Sequence, residues 1–263
     1  MIFSHHHFVY NLKPLHMKGL TTLQPVLRIF IVNMGFFILM LFINYSVGSS
    51  VGDVANEQPA LIQPAGYAFS IWGLIYALLF VWIIRGLFVR DEKTNVYRDT
   101  QALIPINFLL NSAWIITFTQ EYIFLSTVVI FLLLFSLIPL YRIIKRNRNS
   151  GLMDRLPFSI YLGWVSVASI VNVFTGFSRS NLTTFLGTGE LGWSVVILMI
   201  LTVVAILLTR LNRDIWYPLV FIWSYLAIFI RSDEETIRWV ALISTVLLVI
   251  IVLLQVIYNL RRR

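Results

Sequence analysis

Apolar residues dominate this chain in long runs that are separated by short polar segments. About 20 residues are needed for a helix to cross the roughly 30 Å of bilayer hydrocarbon. Eight runs approach or exceed that length, and they cover residues 27–48, 65–88, 102–119, 122–141, 156–177, 191–209, 214–230 and 238–259. The pattern predicts an all-α fold, a polytopic membrane helix bundle of about eight transmembrane helices, in which the third and seventh spans are the shortest.

The composition supports this prediction. Of the 263 residues, 59% are hydrophobic and only 12% are charged, and the mean hydropathy is +0.83. Soluble domains usually carry about 25% charged residues. A water-soluble fold of this length could not bury so much apolar surface, and lipid is the solvent that suits it. The chain has no cysteine, which excludes disulfides and thiolate chemistry.

The basic residues predict the orientation. If the N-terminus is cytoplasmic, all but three of the 20 lysines and arginines fall on the cytoplasmic side, and the exceptions are Arg179, Arg231 and Arg238. We therefore expect both termini in the cytoplasm. The basic residues are spread over several inner loops, where they favour the anionic headgroups of membrane lipids. We expect no nucleic-acid partner.

Several kinds of chemistry lack the residues that they need. The sequence has no glycine-rich phosphate loop and hence no ATPase module. The spans hold almost no ionisable residues except Arg28 and Arg85 near their inner ends, which argues against a proton pump and against acid–base catalysis. Three adjacent histidines, 5–7, lie in residues 1–26, expected to be a flexible cytoplasmic segment, without a carboxylate or cysteine beside them. We expect no metal site.

Three of the predicted spans carry polar and aromatic side chains at helical spacing, so that each set occupies one helix face. The three sets are Phe69, Trp72 and Tyr76 in span two; Asn107, Asn111 and Trp114 in span three; and Tyr161, Trp164, Ala168 and Asn172 in span five. An amide that faced lipid would be costly, so these faces should point into the bundle. The outer loop 49–64, which is acidic and contains two prolines, could cover them as a lid.

Two interpretations of these faces remain open. Asparagines at helix interfaces act as interhelical hydrogen-bonding groups worth about 0.6–2 kcal/mol, and aromatic rings fill space. Alternatively, amides and indoles on facing helices line a site for a flat, mostly apolar ligand.

These residues resemble motifs of the TspO/MBR family, the tryptophan-rich sensory proteins related to the translocator protein. The family pattern Pro-Gly-Trp-x-Phe…Trp-x-x-x-Tyr is similar to QPAGYAFSIWGLIY at 63–76, Asn-x-x-Trp is matched by NSAW at 111–114, and Trp-Val-Ser-x-Ala-x-x-x-Asn by WVSVASIVN at 164–172. Tyr67 stands at the first tryptophan of the pattern. The resemblance covers about residues 27–178, a TspO-like five-helix bundle. It implies a divergent, larger bacterial branch with a C-terminal three-helix membrane extension at 179–263.

The resemblance implies a function and a set of site residues. It implies a ligand-binding sensor or receptor in the bacterial plasma (inner) membrane, with a porphyrin or lipid-like molecule as the small hydrophobic ligand. A tetrapyrrole would be a ligand rather than a required cofactor. Because Tyr67 replaces the tryptophan, we expect no enzymatic porphyrin breakdown. The ligand-binding residues would be Pro64, Gly66, Tyr67, Phe69, Trp72, Tyr76, Asn107, Asn111, Trp114, Trp164, Ser166, Ala168 and Asn172.

One alternative function and two uses of the last three helices stay open. Eight spans also suit a transporter or permease subunit for a small uncharged or hydrophobic substrate. The last three helices are a scaffold or homodimer interface, or they widen the pocket through residues 223–225.

Overall fold

The computed structural model describes residues 17–48, 50–89, 94–180 and 184–261. In these ranges the chain forms ten α-helices, one short 3-10 helix (Gly66–Ser70) and a hairpin of two-residue strands, β1 (Thr184–Phe185) and β2 (Thr188–Gly189). The helices are α1 (Met17–Val47), α2 (Ser50–Glu57), α3 (Ile71–Phe88), α4 (Thr94–Thr100), α5 (Leu103–Thr119), α6 (Ile123–Arg146), α7 (Leu152–Ser178), α8 (Glu190–Asn212), α9 (Trp216–Arg231) and α10 (Glu235–Leu260).

The eight predicted spans correspond to α1, α3 with the preceding 3-10 helix, and α5 to α10, and the predicted fold class is confirmed. Six of these helices in the described ranges are long and apolar enough to cross a membrane. The two shorter ones are α5, with 17 residues, and α9, with 16. They are the two spans that the sequence predicted to be shortest.

The helices of the first five spans form a closed ring. Helix α1 contacts α3 and α5, α3 contacts α7, and α6 completes the ring by packing against both α5 and α7. The short helix α2 lies over one end of the ring and packs on α5. Helix α7 has the most extensively buried face, which is consistent with its position between two neighbours of the ring and α9.

The last three helices form a layer on one side of this ring. Helix α9 packs against α7 and the 3-10 helix, and α8 and α10 both pack on α9. Gly163 permits the close approach of α7 and α9, since a Cβ atom there would lie 3.0 Å from Cβ of Val220 and 3.1 Å from the carbonyl oxygen of Tyr217. Small residues at such contacts let helix backbones pack tightly in a membrane.

The outer surface of the bundle is apolar over most of its length. Large side chains such as Phe42, Phe124 and Ile243 expose 69%, 86% and 64% of their surface. A soluble monomer rarely exposes apolar patches of this extent. The exposed rings and aliphatic chains are therefore the surface that meets lipid.

The two ends of the bundle differ in their polar contacts. At the end that we call the lid end lie α2, the α5–α6 turn and the β hairpin. At the opposite end, the basic end, Arg85 forms an ion pair with Asp154, whose carboxylate also accepts a 2.8 Å hydrogen bond from the backbone N–H of Gly151 at the start of α7. Burial, reinforced by the negative charge of Asp154, raises the pKa of Tyr97 in α4 above its ordinary value.

Some local features differ from the sequence expectations. Helix α1 begins at Met17, so part of the segment expected to be flexible is helical, whereas the histidines at 5–7 lie outside the described residues. The loops at 49–64 and 142–155 are shorter than predicted because α2 lies within the first, and α6 and α7 extend into the second. Hydropathy detects the apolar part of a helix and misses the polar turns that continue it into the interface.

Candidate tryptophan site at the lid end

Three indole rings from three helices meet inside the ring of helices. Trp72 of α3 lies 5.7 Å from Trp114 of α5 and 6.3 Å from Trp164 of α7, measured between ring centroids. Trp72 also contacts Tyr76 at 5.6 Å and Tyr161 at 5.8 Å. The faces that the sequence predicted to point inward therefore converge on Trp72.

A small hollow lies on the lid side of this cluster. Its volume is about 30 Å³, which corresponds to roughly two water molecules. Helices α3, α5 and α7 supply most of its wall, and the segment 50–64 closes it. The lining residues are almost all apolar, and they are Val51, Ala55, Gln63, Pro64, Phe69, Trp72, Trp114, Phe118, Trp164, Val167, Ala168, Val171, Asn172 and Thr175.

The segment 50–64, which we call the lid, is held down by charged side chains. Arg179, directly after α7, donates to the carbonyl oxygen of Val54 at 2.6 Å and to the carboxylate of Glu57 at 3.0 Å. Its other terminal nitrogen donates to Glu121 in the α5–α6 turn at 2.9 Å. One arginine thus links the lid, the turn and the end of α7.

A second contact ties the far part of the lid to α8. The carboxylate of Glu190 accepts hydrogen bonds from the backbone N–H of Leu61 at 2.9 Å and from the hydroxyl of Ser178 at 3.0 Å. The lid is therefore attached to the bundle at two places, by Arg179 at Val54 and Glu57 and by Glu190 at Leu61.

Two polar atoms of residues that line the hollow have no hydrogen-bond partner among the described residues. One is the side-chain oxygen of Gln63, and the other is the indole nitrogen of Trp164. Both residues are almost completely buried, with 2% and 1% of their surface exposed. A buried donor or acceptor without a partner costs about 1–3 kcal/mol, so a guest molecule that reached these two atoms would gain by bonding to them.

Asn172 takes part in the wall of the hollow but is already fully engaged. Its side-chain oxygen accepts from the indole N–H of Trp114 at 3.0 Å, and its nitrogen donates to Ser126 at 3.0 Å and to Thr127 at 2.7 Å. It thereby joins α5, α6 and α7.

Asn111 lies about one helical turn deeper than Trp114, in a set of four side chains that we call the polar layer. Its oxygen accepts from the amide of Asn44 at 2.9 Å, and its nitrogen donates to the hydroxyl of Tyr161 at 3.1 Å. Tyr76 donates to the oxygen of Asn44 at 2.8 Å. These bonds connect α1, α3, α5 and α7 in a layer next to the tryptophan cluster and outside the lining of the hollow.

The structure brings seven of the thirteen predicted site residues to the hollow, and they are Pro64, Phe69, Trp72, Trp114, Trp164, Ala168 and Asn172. Tyr76 and Asn111 belong to the polar layer. Four others lie elsewhere: Asn107 bonds to Ser136, Ser166 accepts from Tyr217, Tyr67 packs on Trp223, and Gly66 lies in the exposed 3-10 helix. Helical spacing identifies which face of a helix points inward. That face runs along the whole helix, so residues on it contact different neighbours at different depths, and only some of them reach the hollow.

Some lining residues gave little signal in the sequence. Gln63 precedes the matched proline and could have been singled out as a polar residue next to a motif. Val51, Ala55 and Val171 are ordinary apolar residues that only the packing brings to the hollow. Sequence reasoning also missed Asn44, which bonds to Asn111 and Tyr76. It is a lone amide within an apolar span, and because an amide that faces lipid is costly, its position indicates an inward-facing side chain. Trp223, Ser224 and Tyr225 are absent from the described lining, so the last three helices do not widen this hollow.

The comparison with protein families decides the identity of the fold. A family model described as TSPO-like protein matches residues 30–254. The chain belongs to the TSPO-like family. The predicted relationship to this family is thus confirmed. The protein is a multi-pass membrane protein.

The match to the TSPO-like family continues well past residue 178, where the five-span resemblance ends, and includes most of the last three helices. The division into a bundle at 27–178 and an extension at 179–263 stays a prediction. Searches of curated proteins and of solved structures found no match.

Proposed function

We propose that this TSPO-like protein is a membrane sensor that binds a flat, mostly apolar ligand, such as a porphyrin or a lipid-like molecule, beneath the lid. The observation that carries this proposal is that two buried residues lining one apolar hollow, Trp164 and Gln63, each have a polar atom without a partner among the described residues. Ligand sites are typically apolar cavities with a few placed polar groups.

The aromatic walls suit a planar guest. Trp72, Trp114 and Trp164 present indole faces and edges around the hollow, and aromatic contacts add about 0.5–1.5 kcal/mol each beyond area burial. A guest with one acceptor and one donor at its rim would relieve both unsatisfied groups while its body packs against the rings. Tetrapyrroles combine a planar apolar body with polar groups.

Binding and lid movement are coupled in this proposal. Pockets for organic ligands typically measure about 300–1,000 Å³, whereas the hollow measures about 30 Å³. A ligand must therefore displace the lid and the side chain of Trp72, which is only partly buried. The contacts of Arg179 and Glu190 would break as the lid opens, so occupancy changes the surface at the lid end. A ligand that binds only the open form shifts the population toward it.

Basic residues prefer the cytoplasmic side of a membrane, and this preference assigns a compartment to each end of the bundle. The basic end carries most of the lysines and arginines and would face the cytoplasm, with both termini. The lid would then face outward, and the ligand would reach it from the outer side or from the outer leaflet of a bacterial plasma membrane.

The geometry favours binding over transport. The polar layer of Asn44, Tyr76, Asn111 and Tyr161 fills the space between the hollow and the basic end with direct side-chain contacts. A transporter needs a route past this layer, while a sensor needs none. No acid–base pair lines the hollow among the described residues, so we infer binding without catalysis.

Titration with protoporphyrin IX tests the proposed site. Quenching of tryptophan fluorescence in purified full-length protein would give the dissociation constant. We expect Trp164→Phe and Gln63→Leu each to raise it about tenfold, since each removes one buried hydrogen-bonding group.

Trp82→Phe is the matched control. Trp82 is also a 1% exposed tryptophan whose indole nitrogen has no partner among the described residues, but it packs on Tyr97 and Phe158, away from the hollow. It should leave the dissociation constant unchanged. Equal effects of Trp82→Phe and Trp164→Phe, or none from Trp164→Phe and Gln63→Leu, would contradict the site.

A further inference from the structure

A second and larger cavity lies at the basic end, where the α6–α7 loop, the α8–α9 turn and the last part of α10 meet. Its volume is about 360 Å³. In contrast to the hollow under the lid, its wall contains charged groups: the cations Lys145, Arg155 and Arg213, and one carboxylate, Asp214.

The carboxylate is engaged within the protein. Asp214 accepts hydrogen bonds from the hydroxyls of Tyr141, at 2.8 Å, and Ser159, and its other oxygen accepts from the backbone N–H of Trp216 at 2.9 Å. These bonds fix the α8–α9 turn against α6 and α7. The acid thus has a structural role, and the cavity keeps an excess of positive charge.

The cations are placed around the cavity, and none of them forms an ion pair with a carboxylate in the described ranges. Lys145 is held by the carbonyl oxygen of Asn212. Neither guanidinium, of Arg155 or of Arg213, forms a hydrogen bond or ion pair with any other residue in the described ranges, although Arg213 lies over the ring of Tyr258 at 5.5 Å. Arg213 also has φ 52°, a left-handed conformation that glycine or asparagine usually occupies after a helix. An arginine at this position places a cation at the mouth of the cavity.

An apolar groove lies next to this cavity, on the membrane-facing side of the bundle. It measures about 360 Å³, and its walls come from α3, α7 and α9 with the residue before α3, namely Ser70, Ile71, Leu74, Ile160, Trp216, Leu219, Val220 and Trp223. Trp216 belongs to the walls of both the cavity and the groove. From Trp216 to Trp223 the groove follows α9 for about 10 Å toward the middle of the bundle.

We propose that the cavity and the groove together hold one anionic phospholipid. The phosphate lies among Lys145, Arg155 and Arg213, and an acyl chain lies in the groove along α9. Positive charge at the end of a span attracts anionic lipid, and tryptophan prefers the level where headgroup and chain meet. The groove favours a lipid over a soluble phosphate, because a soluble ion makes no contact with an apolar groove beside its site.

Native mass spectrometry of the full-length protein with added phosphatidylglycerol or phosphatidylcholine tests the headgroup part of the site. We expect tight phosphatidylglycerol adducts and weak phosphatidylcholine adducts. The double variant Arg155→Gln/Arg213→Asn should weaken phosphatidylglycerol binding about 30-fold, since two cations near the headgroup are lost. Asparagine is chosen at 213 because it tolerates the left-handed backbone.

The matched control is Arg142→Gln/Arg148→Gln, which removes two exposed cations from the same end of the bundle but outside the cavity wall. It should retain binding. An equal loss in both double variants, or equal binding of both lipids, would overturn the proposal. Full competition by millimolar glycerol phosphate would also overturn it, because the site would then take a soluble phosphate.

A pair of variants tests the groove separately from the charge. Leu74→Trp fills the groove and should weaken phosphatidylglycerol binding about tenfold by excluding the chain. Leu125→Trp is the matched control on α6, since Leu74 and Leu125 expose 50% and 49% of their surface. If Leu74→Trp binds as tightly as Leu125→Trp, the acyl chain does not use this groove.

Discussion

Two neighbouring layers, which share α3, α5 and α7, contain the same kinds of side chain and differ in how these side chains are paired. In the polar layer, the amides of Asn44 and Asn111 each donate and accept, and the hydroxyls of Tyr76 and Tyr161 both take part. In the layer around the hollow, Trp114 and Asn172 are paired, but the side-chain oxygen of Gln63 and the indole nitrogen of Trp164 have no partner among the described residues.

The difference shows how a structural layer can be told from a binding layer. Both layers place amides and aromatic rings on inward faces, so residue type does not separate them. A fully paired network stabilises one arrangement of the helices. An unpaired donor and acceptor beside a hollow leave binding capacity for another molecule. Of the two interpretations of the polar faces, interhelical bonding fits the amides of the polar layer.

The largest expected change in stability comes from a substitution in the polar layer. Asn111→Ala should lower the free energy of unfolding by about 2 kcal/mol, because it removes the bonds of Asn111 to Asn44 and to the buried hydroxyl of Tyr161. Asn107→Ala is the control, since Asn107 donates one bond, to Ser136, and should lower it by about 0.6 kcal/mol. Unfolding in detergent mixtures measures both. Equal losses would show that the polar layer has no special role in stability.

A smaller effect separates two tryptophans of the hollow. Trp114→Phe should cost about 1 kcal/mol more of unfolding free energy than Trp164→Phe, because only the indole N–H of Trp114 donates to another residue, Asn172. The two changes remove the same atoms from two buried sites. The same unfolding assay gives the difference. A larger loss for Trp164→Phe would mean that its N–H has a partner in the membrane-embedded protein.

The smallest expected effect concerns the lid. Arg179→Gln should speed the amide hydrogen exchange of α2 about threefold, since partly exposed ion pairs are worth less than about 1 kcal/mol. Glu57 and Glu121, its carboxylate partners, expose 60% and 56% of their side chains. Arg231→Gln at the same end should leave this exchange unchanged. An unchanged rate in Arg179→Gln would indicate that packing of Val51 and Ala55, and not Arg179, holds the lid.

The positions of the helices could be predicted because apolar length and helical spacing depend on local sequence. The convergence of Trp72, Trp114 and Trp164 could also be predicted from helical spacing. Polar groups are costly to expose to lipid, so the helix faces that carry them must point into the bundle. The contacts of Asn107 could not be predicted in this way. Asn107 lies on the same face of α5 as Asn111, but its side chain donates to Ser136 of α6. Which neighbour a side chain meets depends on the packing of whole helices.

By itself, the sequence determined an all-α membrane bundle, the order and length of its spans, and the inward direction of its polar faces, because lipid penalises every exposed backbone and amide group. Only the tertiary structure decided which amides bond to each other, that Arg179 and Glu190 close the lid, that the hollow is small, and that the cations of three separate segments border one cavity. These features join residues far apart in the chain, and no local pattern specifies the geometry at which helices meet.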